Sequence, residues 1–335
     1  MAPIESRPPA DRRGGRIAGI DALRGVAILA MVVYHFAWDL SSRGLIEADV
    51  AADPGWKAFA RSIAGSFLAL VGVSLVLAAR GRTVPAHFLR RLAIVAGAAA
   101  LVSAGTWWFI PDAFVFFGIL HCIAVSSVLA LPFLRVPAWF SALSGALVIA
   151  GPWFLADPLF DAPGWLWLGL ATTPPRTIDY VPLFPWFGVV LLGVALGRVL
   201  VATGGGPLAR WRPAGRTGRF LVLAGRWSLP IYLIHQLVLI GALSAALWIF
   251  GTTPEMQTRL YGRYYLADCL AGGNDEASCR AFSRCAATRL GSDAALMADA
   301  ADGALGDDSA LRWRETVSAC FEEAIPPLPF DEGGG

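Results

Sequence analysis

The sequence predicts an all-α polytopic membrane protein: about seven transmembrane helices and a small helical, cysteine-containing extracytoplasmic C-terminal module. Of its 335 residues, 56% are hydrophobic and 16% charged, and the mean hydropathy of +0.58 is too high for a soluble domain of this length. A membrane-spanning helix needs about 20 predominantly apolar residues. Seven such runs are present, near residues 17–40, 60–79, 92–109, 114–133, 138–155, 183–203 and 227–250.

The distribution of arginine predicts the orientation of these spans, because short loops rich in Arg and Lys stay on the cytoplasmic side. Arginines precede the first span and fill the links between spans two and three and between spans six and seven: Arg7, Arg12, Arg13, Arg16, Arg80, Arg82, Arg90, Arg91, Arg198, Arg210, Arg212, Arg216, Arg219 and Arg226. The alternate links hold few basic residues. We therefore expect a multi-pass plasma-membrane protein with a cytoplasmic N-terminus and an extracytoplasmic C-terminus.

Cysteine usage agrees with this orientation. Four of the five cysteines, Cys269, Cys279, Cys285 and Cys320, follow residue 250, and disulfides belong to oxidising compartments. Three pairings of the four are open. The competing interpretation is a zinc site, but spacings of nine, five and 34 intervening residues lack the closely spaced pairs typical of one. Cys122 lies within the fourth predicted span and is expected to be an ordinary buried thiol.

The composition also changes near residue 251, where a mainly basic chain gives way to an acidic tail. Residues 251–335 contain 14 acidic residues and seven arginines, whereas the preceding residues contain 11 acidic and 20 basic residues. We predict four segments. Residues 1–16 form a disordered basic cytoplasmic tail, 17–250 the transmembrane domain, 251–325 an extracytoplasmic disulfide-containing helical module, and 326–335 a disordered tail.

Four ionisable residues recur within the first span: Asp21, Arg24, His35 and Asp39. At 3.6 residues per turn, an α-helix brings these side chains to within about 60° of one another. An ionisable group inside a span costs about 2.5–3.5 kcal/mol on insertion scales, so such groups normally face the bundle interior or a cavity. The spacing therefore predicts a polar stripe that lines a cleft.

Depth distinguishes the two ends of this stripe. At 1.5 Å per residue, His35 lies about 27 Å past Ile17, near the outer face, and Arg24 lies about 10 Å past it. Asp39 follows His35 by one turn, so its carboxylate can orient the imidazole and leave the second ring nitrogen to act as a base. Asp21 and Arg24 lie about three turns closer to the cytoplasm.

Two further histidines fall within predicted spans, at different depths. His121 is near the outer end of the fourth span, where it can meet His35 in an outer chamber together with Asp112 and Asp179. His235 is on the cytoplasmic half of the last span.

There His235, Gln236 and the arginines of the preceding link, Arg198 among them, are expected to frame an inner mouth suited to an anionic ligand. Structural roles are the alternative for each of these residues, because polar side chains in helix bundles also serve as packing hydrogen bonds. Asp21 and Arg24 can simply pair with each other at the inner interface. His35 and Asp39 can merely end the first helix.

These stretches also resemble a known family. The segment RIAGIDALRGVAILAMVVYHFAWDL, with its D-x-L-R-G start and a histidine after ten further residues, resembles the opening helix of bacterial transmembrane acyltransferases. The segments GILHCIAV and DYVPLFPWFGVVLLGVALG look like a bacterial branch related to heparan-α-glucosaminide N-acetyltransferase. GRWSLPIYLIHQ resembles the helix that closes many such cores. The resemblance covers about residues 16–245 and leaves out the cysteine-containing tail.

The resemblance implies acyl transfer across the membrane, the bacterial inner membrane in particular. An acyl-CoA, expected to be acetyl-CoA, would enter from the cytoplasm, and an amine or hydroxyl of an extracytoplasmic sugar would accept the acyl group. His35, Asp39 and His121 are the expected catalytic residues. The expected donor-binding residues are Arg24, Asp21, His235, Gln236 and Arg198. The partners are then membrane lipid, the acyl-CoA and the sugar acceptor. No metal and no nucleic acid are expected, and the oligomeric state is left open.

The chain departs from the heparan enzymes in two places. It has no histidine between residues 41 and 60, where those enzymes carry the histidine proposed to be active, and it has His121 and Cys122 where they commonly have Gln-Arg.

A transporter or proton-coupled carrier that uses the same polar stripe is the alternative function. A scaffold subunit whose tail binds a partner is a third, but it leaves the intramembrane charges unexplained.

Overall fold

The computed structural model describes residues 17–79, 84–173, 175–301 and 305–325, and over these residues every regular element is helical. The predicted disordered tails at 1–16 and 326–335 lie outside the described residues, as do Arg80 and Arg82. The α-helices are α1 (Ala18–Ser42), α2 (Pro54–Ala79), α3 (Val84–Phe109), α4 (Ile119–Leu129), α5 (Ala138–Leu155), α6 (Leu183–Ala202), α7 (Gly206–Arg210), α8 (Gly215–Arg226), α9 (Ser228–Phe250), α10 (Pro254–Ala271), α11 (Glu276–Ser292), α12 (Ala294–Ala301) and α13 (Asp307–Ala324).

Six of the described helices are long and apolar enough to cross a membrane: α1, α2, α3 from Ala86, α5, α6 and α9. A helix satisfies all of its internal backbone hydrogen bonds, which a bilayer core requires of a spanning segment. Three of the six end in exposed aromatic residues, Trp108 and Phe109 in α3, Trp153 and Phe154 in α5, and Trp248 and Phe250 in α9. Aromatic side chains of this kind concentrate at membrane interfaces. The predicted fold class, an all-helical multi-pass membrane protein, is confirmed.

The fourth predicted span differs from expectation. Residues 114–133 were expected to cross the membrane, but α4 has only 11 residues and covers about 16 Å of the roughly 30 Å hydrocarbon core. Prolines interrupt the apolar run on both sides, since Pro111 and Pro132 each begin a short 3₁₀ helix. Apolar composition alone therefore overestimated the length of this helix.

The coil before α4 is held by neighbouring segments. Backbone N–H groups of the segment before α6 donate to it, from Ile178 to the Ala113 carbonyl at 3.0 Å and from Val181 to the Phe117 carbonyl at 3.2 Å. The Thr106 hydroxyl of α3 accepts from the Val115 N–H at 3.0 Å. Irregular backbone is tolerated at membrane depth where protein surrounds it in this way. Residues 114–118 and 177–182 thus form one paired, non-helical layer.

Close approach of α1 and α8 depends on two glycines. A Cβ atom added at Gly225 would overlap the carbonyl oxygen of Asp21, and one added at Gly25 would overlap the carbonyl oxygen of Leu221. Small residues at helix crossings let the two backbones come into contact, which is the main source of packing energy between helices in lipid. The amphipathic helix α8 therefore packs directly against the first half of α1.

Two other crossings are made in the same way. In α2 and α6, side chains at Gly72 and Gly193 would overlap backbone oxygens of the opposite helix. In α5 and α6, Gly145 and Gly188 face each other's carbonyl oxygens. Around α6 lies the largest apolar cluster, whose buried members include Leu68, Leu75, Phe117, Leu183, Val190, Leu191 and Val194.

The chain divides into two compact units. The first comprises the described residues up to Val33 together with Ala58–His235, and the second comprises Tyr34–Lys57 together with the described residues from Gln236 onward. The end of α1, the α1–α2 loop and most of α9 thus belong with the C-terminal helices. The segment limits predicted from composition, 17–250 and 251–325, stay a prediction, as does the extracytoplasmic position of the tail.

The C-terminal helices α10 to α13 pack around one apolar cluster, and two disulfides join them. Cys269 is bonded to Cys279 and Cys285 to Cys320, so one of the three open pairings is realised, and these four thiols are not available as zinc ligands. Cys122 is a free, buried thiol, as expected. The disulfides join a core that also contains Tyr265, Phe282, Leu290, Leu296 and Met297.

We expect Gly225→Ala to destabilise the protein by about 1–3 kcal/mol, because the added methyl group overpacks the α1–α8 crossing. Thermal unfolding in detergent measures this loss. Gly241→Ala in α9 is the matched control, since a Cβ atom there has no neighbour within 4 Å among the described residues and alanine favours the helix. Equal unfolding temperatures for the two variants would contradict the role of the glycine contact.

Candidate functional site

The polar stripe of α1 faces the protein interior. Asp21 and Asp39 are buried, with 5% and 4% of their surface exposed, and Arg24 and His35 are partly buried. The opposite side of the same helix exposes apolar residues, Leu23, Val26, Val33, Phe36 and Trp38. The four ionisable side chains therefore lie on the inward face of α1. Their catalytic and donor-binding roles stay a prediction.

A cluster of charged groups surrounds the start of α1. The carboxylate of Asp21 lies 3.3 Å from Arg24 and 3.4 Å from Arg226 at the end of α8. Arg24 also donates to the Ser74 hydroxyl of α2 at 2.6 Å. The pairing of Asp21 with Arg24, which the sequence left as a structural alternative, is thus present. Because two guanidinium groups share one carboxylate, the cluster keeps a net positive charge.

Arg91 of α3 adds to this positive charge. Its side chain lines a narrow cleft with Leu75, Phe88 and Ser127, and the like charge of Arg24 acts on its guanidinium group. Guanidinium groups brought together in this way are suited to an anion such as a phosphate. The sequence assigned Arg91 to a cytoplasmic link, whereas the structure places it within α3.

The second cluster on α1 centres on Asp39. Both carboxylate oxygens of Asp39 accept from the side-chain amide of Gln236 in α9, at 2.9 and 3.1 Å. The His35 ring, one turn before, packs edge-to-face with Tyr34 at a centroid distance of 5.6 Å. Among the described residues, the buried amide oxygen of Gln236 has no hydrogen-bond partner.

This contact differs from the predicted grouping, which placed Gln236 at an inner mouth with His235 and the arginines of the preceding link. Gln236 lies in the third turn of α9, whereas Asp39 lies near the end of α1. The third turn of α9 therefore lies against the last turns of α1. Gln236 thus accompanies Asp39, and the donor-binding role of Gln236 stays a prediction.

His121 uses both ring nitrogens to hold the start of α4. The Gly118 N–H donates to Nδ1 at 3.2 Å, so the proton of the neutral ring is on Nε2, which lies 3.1 Å from the Ser103 hydroxyl. Ser103 in turn donates to the Val115 carbonyl at 2.5 Å. This arrangement fixes the turn between the coil and α4. The predicted catalytic role of His121 would require one of these bonds to open.

Asp179, which the sequence predicts in an outer chamber with His121, forms a partly buried pair with Tyr232, which was not among the predicted site residues. Oδ2 of Asp179 accepts from the Ile119 N–H at 3.1 Å and from the Tyr232 hydroxyl at 3.4 Å. A side chain at Gly118 would overlap the same carboxylate oxygen, so glycine is required there. Burial raises the pKa of Asp179, and the two hydrogen bonds only partly offset that rise. Asp112, the other acid expected nearby, is exposed in its 3₁₀ helix.

The remaining predicted donor-binding residues lie in other surroundings. Nδ1 of His235 donates to the carbonyl oxygens of Tyr232 at 2.8 Å and Ile231 at 3.2 Å. Arg198 donates to the Leu134 carbonyl at 2.6 Å and so ties α6 to the turn after α4. Within the described ranges, no three His, Cys, Asp or Glu side chains are grouped closely enough to hold a metal ion.

We expect the unfolding temperature of the protein to fall as the pH rises through the raised pKa of Asp179. A carboxyl group with a raised pKa in the folded state stabilises that state while it is protonated, and this contribution is lost as the proton dissociates. Asp179→Asn keeps an oxygen that can accept both hydrogen bonds but has no proton to lose, so its unfolding temperature should depend less on pH.

Differential scanning fluorimetry of both proteins between pH 4 and 8 makes this comparison, and the difference between the two curves isolates Asp179 from other titrating groups. Asp179→Leu is the second variant, because it leaves the Ile119 N–H without its acceptor and should cost about 1–3 kcal/mol. Identical pH dependence in the wild type and Asp179→Asn would refute the assignment.

Comparison with known proteins bears on what these clusters are for. The family model described as heparan-alpha-glucosaminide N-acetyltransferase, catalytic, matches residues 16–237, a range that includes both polar clusters of α1 and excludes the disulfide-containing helices. No curated protein and no solved structure matches the chain. The match covers well over half of the sequence, and the family resemblance predicted from the helix motifs is confirmed. This multi-pass membrane protein belongs to the heparan-alpha-glucosaminide N-acetyltransferase catalytic family, a family of membrane acetyltransferases.

Proposed function

We propose that the protein moves an acetyl group from cytoplasmic acetyl-CoA to an amine or hydroxyl of an extracytoplasmic glycan or another envelope component. The observation that carries this proposal is that α1 presents two different polar clusters on its inward face. A cationic cluster surrounds Arg24, and near the other end of the same helix lie Asp39, bound by Gln236, and His35 one turn before it.

The cationic cluster suits the donor. Acetyl-CoA carries phosphates at one end and the reactive thioester at the end of a long, thin arm. Arg24, Arg226 and Arg91 together carry three positive charges against the single carboxylate of Asp21. Phosphate groups bind well to clustered guanidinium groups. The donor would therefore enter from the side where α1 begins, with its phosphates near Arg24.

The spacing along α1 suits the length of such a molecule. His35 follows Arg24 by 11 positions, which is about 16 Å along a helix axis. An extended pantetheine arm can bridge that distance, so the phosphates can remain at the cationic cluster while the thioester is near the imidazole. The acceptor would then approach His35 from the opposite, extracytoplasmic side.

The residues around His35 can promote the transfer. In the proposed reaction, His35 takes a proton from the acceptor amine or hydroxyl as its nitrogen or oxygen attacks the thioester carbonyl carbon. The new C–N or C–O bond forms, the C–S bond breaks, and the departing CoA thiolate receives the proton from His35. Gln236 holds both oxygens of Asp39, and this fixed carboxylate would orient the imidazole.

A covalent route uses the same residues. A His35 nitrogen would first attack the thioester, CoA thiol would leave with its proton, and the acceptor would then displace the acetyl group from the imidazole. The two routes differ in one measurable way. Only the covalent route adds one acetyl group to the protein when acetyl-CoA is present without an acceptor, which intact-protein mass spectrometry detects.

We expect His35→Ala to lower the rate of acetyl transfer by about 10²–10⁴-fold, the usual contribution of a general base. The assay follows labelled acetyl-CoA incubated with the purified protein and cell-envelope sugars. His87→Ala is the matched control, because His87 is exposed on α3 and should leave the rate unchanged. Unfolding temperatures of both variants show whether each is folded.

Undiminished transfer by folded His35→Ala would remove His35 from the mechanism. A wild-type protein that transfers no label, but takes up a substrate into vesicles that contain no acyl donor, would instead favour the carrier function. The choice between these outcomes needs no knowledge of the natural acceptor, since slow hydrolysis of acetyl-CoA also reports on the reactive centre.

We expect Arg24→Ala to weaken acetyl-CoA binding at least tenfold, equivalent to about 1.4 kcal/mol, because a charge-assisted contact to phosphate is lost. Titration calorimetry measures the dissociation constant. Arg176→Ala removes the same charge from an exposed position in the link before α6 and should change the constant less than twofold. Equal weakening in both variants would mean that the net charge, and not the Arg24 site, attracts the donor.

A further inference from the structure

The C-terminal helices contact the loop that follows the proposed catalytic end of α1. Residues 34–57 and the helices from Gln236 onward form one compact unit, and the matched family range ends at residue 237. The helix α10 lies within this unit and carries two arginines one turn apart, Arg259 and Arg263. Side chains at this spacing share one face of a helix.

Arg263 binds the end of α1 and the loop after it. One guanidinium nitrogen donates to the Ser41 carbonyl and to the Ser41 hydroxyl, the latter at 3.1 Å. The other donates to the carbonyl oxygens of Ile46, Glu47 and Ala48 at 2.9, 3.0 and 3.2 Å. A planar guanidinium can reach so many acceptors because its donors project as a fixed fork. Its positive charge also suits the carbonyl-rich end of a helix.

Arg259 binds the same loop one turn earlier in α10. It donates to the Gly44 carbonyl at 3.1 Å, and its guanidinium lies 3.6 Å from the Glu47 carboxylate. Gly44 has a positive φ of 70°, and a side chain there would overlap the Met256 carbonyl at the start of α10. The loop is thus in direct backbone contact with α10.

The bound segment is the C-terminal cap of α1. The Gly44 N–H donates to the Ser41 carbonyl at 2.9 Å and the Leu45 N–H to the Leu40 carbonyl at 2.9 Å, which is the pattern of a helix closed by a left-handed glycine. The Ser41 hydroxyl donates to the Ala48 carbonyl at 2.8 Å and closes the loop. Ser41 follows Asp39 by two residues. Movement of this cap would therefore move Asp39 and His35.

We propose that the disulfide-stapled C-terminal module is a clamp that positions the His35–Asp39 end of α1, with Arg263 as the positioning residue. The proposal rests on the proposed acetyl transfer for its effect on rate. The four carbonyl groups and one hydroxyl that Arg263 contacts belong to the cap and the loop, and the module holds α10 in place through the disulfides Cys269–Cys279 and Cys285–Cys320.

The test compares the wild type with Arg263→Lys and Arg263→Ala. Lysine keeps the charge but has no planar fork, so both variants should loosen the loop. We expect amide hydrogen exchange in residues 41–50 to rise at least tenfold, kcat for acetyl transfer to fall at least fivefold, and KM for acetyl-CoA to change less than twofold. Arg280→Ala, which removes an exposed surface pair with Glu276, should match the wild type in all three.

A second perturbation leaves the sequence intact. Reduction of the two disulfides in the folded wild type should raise amide hydrogen exchange in residues 41–50 and lower kcat, as Arg263→Ala does. Reduction of Arg263→Ala itself should then produce little further change in that loop. A purely structural role for Arg263 would instead lower the unfolding temperature with kcat per folded molecule unchanged.

Unchanged exchange in residues 41–50 of Arg263→Ala would overturn the clamp, and so would increased exchange with kcat unaltered. If the wild type transfers no acetyl group, the proposed function fails. The clamp is then tested by hydrogen exchange and by the modification of His35 alone. Modification of His35 by diethylpyrocarbonate, quantified by peptide mass spectrometry, should rise in Arg263→Ala if the end of α1 moves, and an unchanged rate would count against the clamp.

Discussion

Ionisable groups on the first helix must find partners on other helices, and this requirement organises the rest of the structure. A charge left alone in a membrane interior is expensive, so such groups pair with one another or with polar side chains. Asp21 pairs with Arg226 of α8, Arg24 with Ser74 of α2, and Asp39 with Gln236 of α9. The neighbours of α1 are thus the helices that can supply these partners.

Small residues make those pairings geometrically attainable. Gly25 and Gly225 let the backbones of α1 and α8 touch, which brings Arg226 to Asp21. Lipid offers little hydrophobic force between helices, so close packing and polar contacts must act together. The same combination explains why the glycine crossings and the buried polar contacts occur on the same helices.

The polar residues fall into two groups with different roles. The clusters on α1 contain groups that can bind an anion or move a proton, whereas the residues around His121 and Asp179 hold the non-helical layer before α4. The second group sets where α4 begins, because the Gly118 and Ile119 N–H groups donate to His121 and Asp179. The role of a buried ionisable residue is therefore better assigned from its hydrogen bonds than from its residue type.

The sequence by itself determined the fold class, the family and the inward stripe of α1, and it placed the disulfide-forming cysteines in the C-terminal region. These features are local, since span length, a 100° rotation per residue and composition are read from neighbouring residues. Only the tertiary structure decided that Gln236 meets Asp39, that His121 caps α4, that the fourth helix has 11 residues, and which cysteines pair. It also decided that Arg263 binds the end of α1. Such contacts join residues far apart in the chain, and helix periodicity carries no information about which helices become neighbours or at what depth each begins.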